Sequence, residues 1–206
     1  MGPERSWDRK DHETGKIMTR TQANLVLLLA GAMWGMGFVA QSTAMQAVGP
    51  MLFIGSRFLV ATFAMMPFAS MESRRAERGV RKAEWLAFAM IGLLLFAGMA
   101  AQQVGLLSTS VTNSGFLTGL YVVMVPFAAV VLFRQWPHPI VWPAALCALA
   151  GIWLLSGGSV AAFTTGDWLT ILCALIWALQ VIYTGRHAAA SGRPVTLAVT
   201  QFAVCG

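Results

Sequence analysis

The residues able to do chemistry are few. Arg57 is the one charge in the interior of any long apolar stretch of the chain. A guanidinium presents five N–H donors in a rigid fork and stays protonated in proteins. In apolar surroundings it either binds an anionic group or stretches its stem toward the nearest water layer. Gln41 and Gln46 are its nearest neutral partners on the same side. A second set is Gln102 and Gln103 on one side of a short polar turn at Ser108–Ser110, with Asn113 and Ser114 on the other. Ser114, Thr118 and Tyr121 follow at spacings of four and three, which puts them on one helix face. Such hydroxyls meet a solute or bond back to helix carbonyls. Trp177, Gln180 and Tyr183 make a third stripe, and Trp34 sits in the middle of its own apolar stretch. An indole so placed lines a cavity or packs a core, and the residues leave both open.

One motif suggests other chemistry. Gly35-Met-Gly37-Phe-Val-Ala40 matches the dinucleotide fingerprint. That fingerprint requires a strand before it, a helix opening at its glycines and an acidic residue about 20 positions on. Here the glycines lie inside a continuous apolar run, and 50–69 contains no Asp or Glu. The same glycines give Gly31-x-x-x-Gly35, and Gly115-x-x-x-Gly119 repeats the spacing, so close helix packing is the better expectation. His12, His138 and His187 lie outside the apolar interiors, and Cys147, Cys173 and Cys205 show no metal spacing. No paired carboxylate or Ser/His/Asp set shares one depth, so no enzyme, metal or cofactor is expected. A proton-exchanging exporter is disfavoured because its intramembrane carboxylate is missing.

The elements that would carry these residues are membrane spans. The chain has 206 residues, 57% hydrophobic and 11% charged, against about 25% charged in a soluble domain. Six stretches, 23–43, 50–69, 85–106, 113–133, 139–157 and 168–186, are each about long enough to cross a ~30 Å hydrocarbon core. A seventh begins near Val195 and stops at Gly206. Residues 1–22 read as a polar tail, within which Met18 offers an alternative start. No cleavable signal is expected, since the first apolar run is long enough to span.

Loop charges alternate. The tail, loop 70–84, the position after the fourth span and the segment after the sixth hold thirteen Lys and Arg, and the intervening loops hold none. Basic loops stay cytoplasmic, so the N-terminus is expected in the cytoplasm. The net charge of +6 is then topological and calls for no nucleic acid, though it attracts anionic headgroups weakly.

An internal repeat is visible. Trp34 aligns with Trp177, 143 residues on, while Pro50 with Pro194 and Phe58 with Phe202 are each 144 apart. Five spans separate the copies. Five is odd, so the second copy must run inverted, as in many secondary transporters.

The segments "AGAMWGMGFVAQ", "GPMLFIGSRFLVATFAMMP", "TSVTNSGFLTGLYVVMVPFAAVVLF" and "PAALCALAGIWLLSGG" resemble the first half of the drug/metabolite transporter superfamily, EamA-like branch. The resemblance covers about 23–206 and rests on the order and spacing of weak motifs. It departs at Phe133-Arg134-Gln135-Trp136-Pro137, where the family often has Gly-Glu. It implies an all-α polytopic membrane protein with inverted five-helix repeats, the first at 23–157 and the start of an incomplete second at 166–206. It also implies a cavity lined by the first four helices of each half, with the fifth at a dimer contact. The cavity candidates are then Trp34, Gln41, Arg57, Gln102, Gln103, Asn113, Ser114, Thr118, Tyr121, Trp177, Gln180 and Tyr183. The function implied is a carrier for a small metabolite or drug-like solute in a bacterial inner membrane. The alternative is a non-transporting scaffold. Two repeats plus the tail would need roughly 300 residues, so the 206-residue chain alone is expected to be inactive unless another chain completes it.

Overall fold

A computed structural model describes residues 19–134, 136–155 and 163–206. The polar tail before Thr19, Gln135 and the 156–162 part of the fifth loop fall outside it, as does the side chain of Gln46. The described chain contains seven helices: α1 Arg20–Ala47, α2 Pro50–Arg75, α3 Lys82–Gly105, α4 Val111–Phe133, α5 Val141–Leu155, α6 Thr165–Ser191 and α7 Pro194–Cys205. It contains no strand among those residues. Five helices, α1 to α4 and α6, are long and apolar enough to cross a membrane. The fifth expected span is described only in part. α5 has 15 residues, a length of about 22 Å at 1.5 Å per residue, and the end of its apolar stretch lies outside the description.

Helix ends follow local chemistry. Pro50 and Pro194 open α2 and α7, where the missing N–H costs nothing and φ is already helical. Ser110 starts α4 by accepting from the Asn113 N–H at 3.1 Å. Thr164 and Asp167 start α6 as a capping box, each side chain taking the other's backbone N–H at 3.2 and 2.7 Å. Gly192 ends α6 at φ 64°, in the left-handed region that glycine enters without Cβ strain.

The fold divides into two units, Met1–Gly37 and Phe38–Gly206. The first contributes the leading part of α1, including Trp34. In the second, α3 packs on α6 and α7, α4 on α6 and α5, and α2 on α7. One core cluster joins Ile54, Phe58, Met99 and Cys205, with Trp177 and Phe202 against it. A second joins Phe88, Ile91 and Leu197, with Tyr183 against it. Polarity is arranged opposite to that of a soluble protein. Gln102, Gln103, Ser114, Thr118, Asp167 and Thr170 are buried, while Val131 is 78% and Leu154 76% exposed. Lipid tails favour such a surface, and polar groups hidden from them find partners inside. The chain is an all-α polytopic membrane protein.

The glycine expectation needs correction. A Cβ at Gly115 or Gly119 would meet nothing within 4 Å, and one at Gly31 or Gly35 would meet no atom of its own unit. Close approach occurs instead at Gly98, which Trp177 covers, and where Gly105 and Gly166 bring α3 and α6 backbone to backbone. The four-residue spacing marks a surface smooth enough for a neighbour. It does not supply the neighbour.

Candidate functional site

Three helices bring the first polar set together. α1 carries Gln41, α2 carries Arg57 seven residues in from Pro50, and α3 carries Gln103 two residues before its end. The Gln41 Oε1 accepts from Arg57 Nη1 at 3.3 Å and from Gln103 Nε2 at 3.1 Å. Gln41 and Gln103 are buried, whereas Arg57 is exposed, with its guanidinium carbon 5.6 Å from the centre of the Phe58 ring. Among the described residues the ion pairs are Arg78–Glu84 and Arg81–Glu84, so no carboxylate answers Arg57. The Oε1 of Gln103 is buried without a described partner. The cluster therefore combines a cation and an unused acceptor, which together suit a ligand carrying an anionic group and a donor.

The second set bridges α3, α4 and α6. Gln102 Nε2 donates to Thr118 Oγ1 at 2.9 Å, and that hydroxyl donates to the Ser114 carbonyl at 2.7 Å. The Ser114 hydroxyl lies 3.4 Å from that of Thr170, which donates to the Gly166 carbonyl at 2.8 Å. Asn113 Nδ2 donates to Asp167 Oδ1 at 2.6 Å, and the Thr109 hydroxyl donates to the same oxygen at 2.5 Å. Of the two uses that the spacing allowed, the bond back to a helix carbonyl is made by Thr118. Both side chains also join neighbouring helices.

The aromatic residues are shared between these layers. Tyr121 meets Trp177 edge to face with ring centres 6.1 Å apart, and Trp177 lies over Gly98 in the core. Further along α6, Gln180 Nε2 donates to Gln201 Oε1 at 2.6 Å and to Thr184 Oγ1 at 3.1 Å. Tyr183 packs instead on Phe133, with ring centres 5.8 Å apart. The expected residues therefore fall into three groups: Gln41 with Arg57 and Gln103; Gln102, Asn113, Ser114 and Thr118; and Tyr121 with Trp177. Gln180 and Tyr183 stand apart from these, and Trp34 belongs to the first unit.

Asp167, Thr170 and Gln201 are the residues that sequence reasoning passed over. The spacing Thr164-x-x-Asp167 is a capping-box signal and points to Asp167 as a helix start. Its bonds to Thr109 and Asn113 left no local trace. Phe58 and Phe202, the pair 144 residues apart in the sequence, touch with ring centres 5.6 Å apart. In each of the two helix pairs, a polar residue just before that phenylalanine, Arg57 or Gln201, bonds a glutamine of the preceding helix.

Comparison with known proteins points to a transporter family. The model of the EamA-like transporter family matches residues 21–157. A protein of Archaeoglobus fulgidus, described as an uncharacterized transporter, is 30% identical over 182 residues, 88% of this chain and 54% of that protein. The chain thus spans about half the length of this relative. No solved structure matches it.

Proposed function

The chain belongs to the EamA-like transporter family, and from that premise we propose that it forms the solute-recognising part of a secondary carrier. The carrier moves a small metabolite or drug-like solute by alternating access and catalyses no reaction. The observation that carries this reading is Arg57, held by Gln41 at 3.3 Å beside the unused acceptor of Gln103. A charge inside a membrane-spanning helix is costly and marks a solute or ion path by default. With no carboxylate paired to it among the described residues, the counter-charge is assigned to the solute, as a carboxylate or phosphate.

Arg57→Gln tests this in a carrier containing this chain. Binding of a carboxylate or phosphate solute, first found by a thermal-shift screen, should weaken by about 1.5–3 kcal/mol, the range for a hydrogen bond to a charged group. Arg57→Lys should recover part of the loss, because it keeps the charge without the fork. Unchanged binding with normal folding would leave Arg57 as a side chain reaching for the interface.

The orientation proposed places the N-terminus and loop 70–84 in the cytoplasm of a bacterium. The thirteen-to-none division of loop charges supports it. In intact cells, a cysteine at Ser73 should resist an impermeant thiol reagent and one at Ala47 should react. The reverse pattern would invert the topology.

A further inference from the structure

The charged end of α2 meets the α6–α7 corner around a buried cation. Arg193 is 5% exposed. Its guanidinium donates to the Ser73 hydroxyl at 3.2 Å and to the carbonyl of Arg78. Both acceptors are neutral, and among the described residues no carboxylate forms an ion pair with Arg193. Glu72, on the same corner, is already engaged. Its carboxylate accepts from the N–H groups of Val195 and Thr196 at 2.9 and 2.8 Å and from the Thr196 hydroxyl at 2.5 Å, capping α7. Arg78 shares its charge with Glu84, whose hydrogen bonds and charge raise the arginine above its ordinary value. The Glu72 carboxylate lies near enough for its charge to act on Arg193, but it forms no hydrogen bond or ion pair with the guanidinium. A buried cation bonded only to neutral acceptors would hold an anion that reaches it.

Two clefts open beside Arg193 and share Ala76 as a common wall. The smaller, about 280 Å³, is lined by Ser73, Arg78, Gly79, Trp85 and Arg193, with Glu77 also on its wall. The larger, about 420 Å³, is lined by Phe68, Met71 and Val195 together with Glu72 and Arg75. The two differ in chemistry. One offers guanidinium and hydroxyl donors, and the other an apolar floor on which Phe68 and Met71 are at least half exposed. Within one turn, α2 passes from Met71 to Arg74 and Arg75, so the shared wall marks the boundary between hydrocarbon and headgroup depth. Trp85, at the start of α3, is a residue type enriched at that boundary.

We propose that the paired clefts bind one anionic phospholipid. The phosphate sits at Arg193 and Arg78 in the polar cleft. The glycerol crosses Ala76, and the first methylenes lie over Phe68 and Met71. The five basic residues Arg74, Arg75, Arg78, Arg81 and Lys82 outnumber Glu72, Glu77 and Glu84 in loop 70–84, and basic juxtamembrane segments attract anionic leaflets. A free phosphate would use the polar cleft alone. The adjoining apolar cleft is what selects a lipid. The site is separate from the Gln41–Arg57–Gln103 cluster and does not depend on the solute reading.

The test uses the purified chain in neutral detergent, with bound lipid counted by native mass spectrometry. Phosphatidylglycerol should bind at least tenfold more tightly than phosphatidylcholine of the same acyl chains. Ala76 lies just past the end of α2 and borders both clefts. Ala76→Glu should abolish that preference and Ala76→Gln should keep it. Arg193→Gln should lower it as well, and the Ala76 pair decides the matter even where losing the Arg193 bonds unfolds the corner. Equal binding of the two lipids, equal behaviour of the two Ala76 variants, or displacement of phosphatidylglycerol by an equal concentration of inorganic phosphate would each overturn the proposal.

Discussion

Valine in place of Gly166 is expected to destabilise the protein by about 3 kcal/mol or more, the upper part of the range for an overpacked contact. A Cβ there would strike the Gly105 carbonyl oxygen, lie 2.6 Å from Ser108 Oγ and 3.0 Å from the Thr109 backbone nitrogen. Two of these neighbours are backbone and cannot swing aside. The clash is reciprocal, since a Cβ at Gly105 would lie 2.8 Å from the Gly166 carbonyl oxygen. Relief would require α3 and α6 to separate, which would also open the Ser114–Thr170 contact. The companion experiment is Gly115→Ala. Its Cβ meets nothing, and replacing an interior helix glycine should then be neutral or stabilise by about 0.5–1 kcal/mol. Unfolding titrations of the two variants in detergent give the comparison. Equal losses for both would mean that the close approach of α3 and α6 contributes nothing.

The second large effect is expected at Asp167. Its carboxylate is 2% exposed and accepts from the Thr164 N–H and hydroxyl, the Thr109 hydroxyl and Asn113 Nδ2. Asp167→Ala leaves these donors facing one another without an acceptor. An unsatisfied buried group costs about 1–3 kcal/mol, and loss of the helix cap adds about 1 kcal/mol. The contributions overlap, so a total of about 2–4 kcal/mol is expected. Asp167→Asn should cost less, because one acceptor oxygen remains while the charge is lost. A denaturation midpoint for Asp167→Ala within error of the parent would show that the corner does not need the carboxylate.

Much of the architecture was legible because lipid makes simple demands. A span must be long and apolar, and the stretches at 23–43, 50–69, 85–106, 113–133 and 168–186 all fall within helices of spanning length. Span 139–157 is described as helix over Val141–Leu155, and its last two residues lie outside the described residues. Within the site, Gln41 could be named as a neighbour of Arg57 because both lie near the same ends of adjacent helices. Asp167 could not be placed beside Asn113, because 54 residues separate them and no short-range pattern records the meeting. The glycines show the same division. Spacing identified Gly115 and Gly119, while partners are found at Gly98, Gly105 and Gly166. A smooth helix face is a property of one segment, whereas contact is a property of two.

The Asp167 corner also sets a schedule for synthesis. Thr109 and Asn113 precede their acceptor by 58 and 54 residues. A ribosome adding about 5–20 residues per second needs about 3–12 seconds to cover that interval. α4 ends at Phe133, so for the last ~2–7 seconds of that interval both helices of the α3–α4 hairpin are made while its tip lacks the carboxylate that will hold it. Newly made α3 and α4 therefore wait with their polar tip turned to interfacial water, and α6 closes the corner when it arrives. The hairpin is finished late, by a residue joined to the chain well after the last residue of its second helix.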